Sequence, residues 1–143
     1  AQVAALAGMS DYLDALHDRH FPPEPSPAAR ARAVRGLAHA REEALTARLL
    51  DWLRGRNDIR ILGPLDASRR ASTVAFVHAR PGEALAADLA PHGIMAGGGA
   101  FYADRLVSAM GVDPRHGVLL LSFLHYTNED EIDRTIAALD AVL

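Results

Sequence analysis

Four prolines fall within seven residues at Phe21-Pro-Pro-Glu-Pro-Ser-Pro27. Proline fixes φ and has no N–H to donate, so this stretch is neither helix interior nor ladder strand. It is predicted to be an extended linker, and it is the best domain boundary in the chain. Residues 1–20 lie before it and residues 28–143 after it. Before the linker, Val3, Leu6, Met9 (or Ser10), Leu13 and Leu16 recur at steps of three and four, which predicts a helix over Val3–Leu16. The first residue is Ala1, so the start is expected to be trimmed or the chain to be a piece of something longer.

After the linker, Ala28–Arg54 reads as the longest helix. Val34, Leu37, Leu45, Leu49 and Trp52 form its apolar stripe, and Gly55 is its stop signal. Ile59–Leu62 and Ser72–His78 read as strands. In the second, Val74 and Phe76 face one side, and Thr73, Ala75 and Val77 the other. Glu83–Leu89 is a predicted helix, Ile94–Ala96 a short strand and Phe101–Met110 a helical turn ended by Gly111. Val118–Leu124 is almost wholly apolar, as a strand covered on both faces would be. The last helix is announced by Asn128 with Glu131 three residues on, and by acids in its first turn. The order predicts an α+β two-layer sandwich: a small, mostly antiparallel sheet with helices packed mainly on one face.

Composition removes several chemistries. The 143 residues include no cysteine, which excludes disulfides, thiolate metal sites and a cysteine nucleophile. All 15 basic residues are arginine. Without lysine, no side chain here forms a Schiff base with an aldehyde cofactor. A net charge of −3 argues against nucleic acid as a partner. No apolar run is long enough for a membrane span, and no secretory signal opens the chain, so a cytoplasmic location is expected. Between Ala28 and Arg70 ten arginines meet five acids. Interspersed as they are, these charges read as a solvated face rather than a phosphate patch.

The candidate site residues are few. Gly97, Gly98 and Gly99 are either a phosphate cradle or a permissive loop. They lack GxGxxG spacing and a following Lys-Ser/Thr, which favours the loop. Beside Phe101 and Tyr102, such a loop can line a substrate pocket. His125, next to Tyr126, ends the apolar strand just before a helix, where sites are built in open sheets. Its alternative is a histidine hydrogen-bonded into the turn. His17 and His20 have metal-ligand spacing but no evident third ligand. Ser72 or Ser122 with His125 has no G-x-S-x-G elbow to make a hydrolase. No catalytic set and no metal site is assigned.

Five segments, taken in order, resemble a known family: Ser72-Thr-Val-Ala-Phe-Val77, Leu89-Ala-Pro-His-Gly-Ile94, Gly99-Ala-Phe-Tyr-Ala103, Gly117-Val-Leu-Leu-Leu-Ser-Phe-Leu-His-Tyr126 and Glu131-Ile-Asp-Arg134. They are similar to the C-terminal part of class V aminotransferases, the pyridoxal-phosphate enzymes that include cysteine desulfurases. Leu45–Leu53 leading into Asp58-Ile-Arg-Ile-Leu-Gly-Pro64 fits the start of that family's small domain. The resemblance implies a fold-type-I enzyme, usually a homodimer, whose cofactor lysine lies in a large domain upstream. Residues 1–20 would be a helix leaving that domain, 21–27 the crossing and 28–143 the small domain. Pyridoxal phosphate would belong to the parent enzyme and bind nothing here covalently.

Two departures stand out. The family carries a carboxylate-gripping arginine two residues before the strand serine, and here that position is Leu120. Arg105 and Arg115 are the nearby arginines that could substitute. The loop that holds the nucleophilic cysteine in desulfurases corresponds to Met95–Phe101 and has none. The expected pocket wall is therefore Gly97, Gly98, Gly99, Phe101, Tyr102, Leu120, His125 and Tyr126. The alternative is a stand-alone, non-catalytic ligand-binding or oligomerisation module.

Overall fold

The structure, a computed structural model, describes residues 2–143, with side chains from Ala5 onward. The predicted role of Val3 in the first stripe lies outside the described side chains. Helix α1 spans Gln2–His20, four residues beyond its predicted end, and stops where Pro22 and Pro23 follow. Residues 21–26 are irregular. Helix α2 then runs over Pro27–Arg54. Pro27 sits in its first turn, where a missing N–H costs nothing, and the Ser26 hydroxyl accepts the Ala29 N–H at 3.3 Å. The chain divides into two compact units, residues 1–41 and 42–143.

The second unit contains the sheet. Strands β1 (Ile59–Leu62), β2 (Thr73–His78), β3 (Gly97–Gly99) and β4 (Val118–Ser122) lie in the order β1-β2-β4-β3, every pair antiparallel. Helices α3 (Gly82–Leu89), α4 (Asp104–Ala109) and α5 (Glu129–Val142) complete it. The fold is the predicted α+β class.

Residues paired across an antiparallel ladder share a face, and this sorts the sheet. One face carries Val74, Phe76, Leu119 and Leu121. They pack with Leu45, Leu49, Leu50 and Leu53 of α2, Leu85 and Leu89 of α3, and Ile132 and Leu139 of α5. Thr73 pairs with Ser122, and Ala75 with Leu120, which pairs with Gly97 on its other side. These residues form the second face. Its covered end is a small cluster of Leu62, Val107, Val112 and Val118. The helices thus lie mainly on one face, as predicted.

Two expectations need correction. The triple glycine is strand β3, not a loop, and Ile94–Ala96 is not strand. The reason is close packing: a Cβ on Gly98 would collide with the backbone of Gly82 and Glu83, and one on Gly82 with the Val118 carbonyl. Helix α3 rests its first turn directly on β3 and β4, and only bare backbone fits beneath it. In α2, Leu37 is exposed, while Leu50 and Leu53, outside the predicted stripe, are buried.

Candidate functional site

Leu120 lies at the middle of the second sheet face, half-buried, with Ala75 on one side and Gly97 on the other. The Phe101 ring folds back over Gly97 and occupies the space a side chain there would need. Phe101 and Tyr102 both stand in the left-handed region, at φ 53° and 58°. Both residues lack the freedom of glycine, so the kink is strained. Phe101 is turned onto the sheet, and Tyr102 is left fully in solvent. Next to Leu120 on the same face, the hydroxyls of Thr73 and Ser122 share a hydrogen bond at 3.1 Å. The exposed part of this face is therefore apolar with one hydroxyl pair.

His125 and Tyr126 stand past the end of β4. The His125 N–H donates to Glu42 Oε1 at 3.1 Å, and its ring Nδ1 lies 3.8 Å from the same oxygen. The Tyr126 ring meets the imidazole edge-on, with centroids 5.4 Å apart. The turn is closed by the Thr127 hydroxyl, which accepts the Leu124 N–H. His125 is thus tied through its main-chain N–H to Glu42 of α2. Glu42 was not among the expected site residues. It lies 83 positions away in sequence, and no local pattern links it to His125.

Arg105 and Arg115 are both exposed, and nothing places either on the Leu120 face. Arg70, just ahead of β2, is bound to the main chain. Its Nε and Nη2 donate to the Thr73 carbonyl at 3.2 and 2.8 Å, Nη2 also to Leu62, and Nη1 to Pro64 at 2.7 Å. Burial pushes this guanidinium below its usual pKa. All three nitrogens are engaged by the main chain, so Arg70 ties the strands together and is no substitute grip for a carboxylate.

On the helix side, a cleft of about 180 Å³ opens between β4 and α5, lined by Ile94, Met95, Phe123, Thr127, Glu131 and Arg134 among others. Its Glu131 is committed to capping α5. No group of three metal-ligating side chains, around His17 and His20 or elsewhere, is found among the described residues. The donor set also decides whether pyridoxal phosphate fits here. With no lysine in the sequence, a self-paired hydroxyl couple and an arginine held by carbonyls, these residues do not hold it by themselves.

Comparison with known proteins agrees with this architecture. The profile of the family "Aminotransferase class-V" matches residues 35–135. The apo cysteine desulfurase of Thermococcus onnurineus NA1 superposes with a TM-score of 0.68 at 24% identity, over 81% of this chain and 30% of that one. The cysteine desulfurase CsdA of Escherichia coli gives 0.64 at 22%, over 86% and 32%. A NifS-like protein from Rickettsia africae gives 0.65 at 17%, over 81% and 31%. The chain thus spans about a third of the length of these solved relatives. Among curated proteins none matches it. The family profile covers well over half of the sequence, and the chain belongs to the class-V aminotransferase family.

Proposed function

We propose that this chain serves as the small C-terminal domain of a desulfurase-like pyridoxal-phosphate enzyme. In that role it supplies part of the substrate pocket wall and leaves the cofactor lysine to a large domain elsewhere. The observation that carries this is the pairing of a family match over residues 35–135 with coverage of only about a third of each solved relative. The missing two-thirds is where a large domain would lie. A cytoplasmic location and a homo-oligomer belong to the same proposal.

The wall is Gly97, Gly99, Phe101, Tyr102, Leu120, His125 and Tyr126; Gly98, expected among them, faces α3 instead. Leu120 and the Phe101 ring give it an apolar centre, and a leucine offers no donor to a substrate carboxylate. The wall therefore shapes and dries the pocket, and the carboxylate, if the substrate has one, is gripped by residues outside this chain. Desulfurase chemistry through the Met95–Phe101 segment is excluded, because that segment has no thiol.

Two experiments test the proposal. The full chain, incubated with pyridoxal phosphate and dialysed, is expected to retain no cofactor absorbance, and a band that survives dialysis would overturn the assignment. In the longer enzyme, Phe101→Ala is expected to raise KM with cofactor retained. Unchanged kinetics would remove the pocket-wall role.

A further inference from the structure

The segment from Phe123 to Asn128 joins β4 to α5, and its main-chain N–H groups show what holds it. The Phe123 N–H donates to the Ser72 carbonyl at 3.1 Å, and the Thr127 N–H to the Leu124 carbonyl at 2.9 Å. The Leu124 N–H donates to the Thr127 hydroxyl, and the Asn128 N–H to the Glu131 carboxylate. The bonds of Leu124, Thr127 and Asn128 stay within the turn and its helix cap. The His125 N–H differs, because its acceptor is Glu42 Oε1, a carboxylate oxygen brought in from α2. The ring Nδ1 is 3.8 Å from that oxygen, beyond hydrogen-bond distance. What Glu42 grips is therefore the backbone, whatever the charge on the imidazole.

The helix end of this contact is firmly anchored. The Glu42 carbonyl accepts the hydroxyl of Thr46, a residue only 1% exposed, at 2.7 Å. Leu45 and Leu49, one and two turns further along α2, are buried in the core with Leu119 and Leu121 of β4. Glu42 thus stands on a stretch of helix packed against the strand whose end it holds. Its half-buried side chain shields the bond from water in part, and a carboxylate acceptor makes it stronger than a neutral one. At the turn end, Tyr126 is largely exposed and rests its ring edge-on against the His125 imidazole. A shift of the His125 main chain is passed to both rings.

We propose, resting on the pocket-wall reading, that Glu42 is a positioning residue: its carboxylate fixes the turn after β4, and with it the places of His125 and Tyr126 in the wall. Glu42 itself touches no substrate and acts through the His125 main chain.

Three variants test this. Glu42→Ala removes the acceptor, Glu42→Gln keeps a carbonyl oxygen at the same reach, and Glu42→Asp keeps the charge on a shorter stem. In the full chain, amide hydrogen exchange at His125 is expected to become about tenfold faster or more in Glu42→Ala, as loss of a bond to a charged group predicts. Glu42→Asp is expected to follow it, and Glu42→Gln to keep most of the protection. The Tyr126 ring signals in NMR are expected to shift in the alanine and aspartate variants alone. Thermal melts establish that the variants fold, and Glu42→Asp serves if Glu42→Ala does not. In the longer enzyme, Glu42→Ala is expected to raise KM more than it lowers kcat, and Glu42→Gln to restore KM, a split that a general loss of stability does not produce. Unchanged exchange at His125, or Glu42→Gln no better than Glu42→Ala, would overturn the role of Glu42 itself. Faster exchange with an unmoved KM would instead overturn the pocket-wall reading, and the positioning role with it.

Discussion

Arg70 gives its guanidinium to three carbonyl oxygens, those of Leu62, Pro64 and Thr73. Arg70→Met keeps the length of the side chain and removes the donors. It is expected to cost about 1–3 kcal/mol in urea unfolding, the range for leaving such acceptors unmet. Acid acts at Asp58, whose carboxyl lies below its ordinary range, chiefly through the hydrogen bond from Arg56. A lowered folded-state value stabilises above the unfolded-state value, about 3.9, and is lost as pH falls through the folded one. Asp58→Asn is therefore expected to shrink the stability difference between neutral pH and about pH 2, as read from melting temperatures. At this scale the place of His125, between the apolar strand and the last helix, was legible in the sequence, because a strand end preceding a capping signal is a local pattern. Glu42 and Arg70 were not, because each acts on residues that only the fold brings near.

Among the elements, α5 is the best defined. The Asn128 side chain accepts the Glu131 N–H at 2.9 Å, and Glu131 accepts the Asn128 N–H at 2.9 Å. Asn128→Ala is expected to cost about 0.5–2 kcal/mol, visible as a lower urea midpoint at unchanged slope. This helix was readable because its cap, its acids and its apolar period all lie within one segment. The strands β1, β2 and β4 were readable from alternation or continuous apolarity. Strand β3 was not: its three glycines have no side-chain pattern, and their pairing is imposed by β4 beside them and by α3 above. The misplaced stripe of α2 has a related cause. Its later turns face a core built from β2, β4, α3 and α5, so Leu50 and Leu53 are needed there as well as Leu49.

For the molecule as a whole, apolar surface is left uncovered. Leu6, Met9, Tyr12 and Leu13 of α1 are between 40% and 63% exposed. Such a run on one helix is more than scattered surface leucines. The isolated chain is expected to self-associate, with an apparent mass by light scattering that rises with concentration. Replacing Leu6 and Met9 with glutamine is expected to return it toward 15.3 kDa. A mass independent of concentration would show that this surface is tolerated in water. No helix among the described residues is long and apolar enough to cross a membrane.

The seating of α3 on β3 and β4 has a genetic consequence. What lies against Gly82 and Gly98 is main chain, which every amino acid shares. An ordinary core lesion is repaired when a neighbour shrinks to accept the intruding group. Here no neighbour has anything to give up, so a selection begun from Gly98→Ala would recover true revertants and no local suppressors.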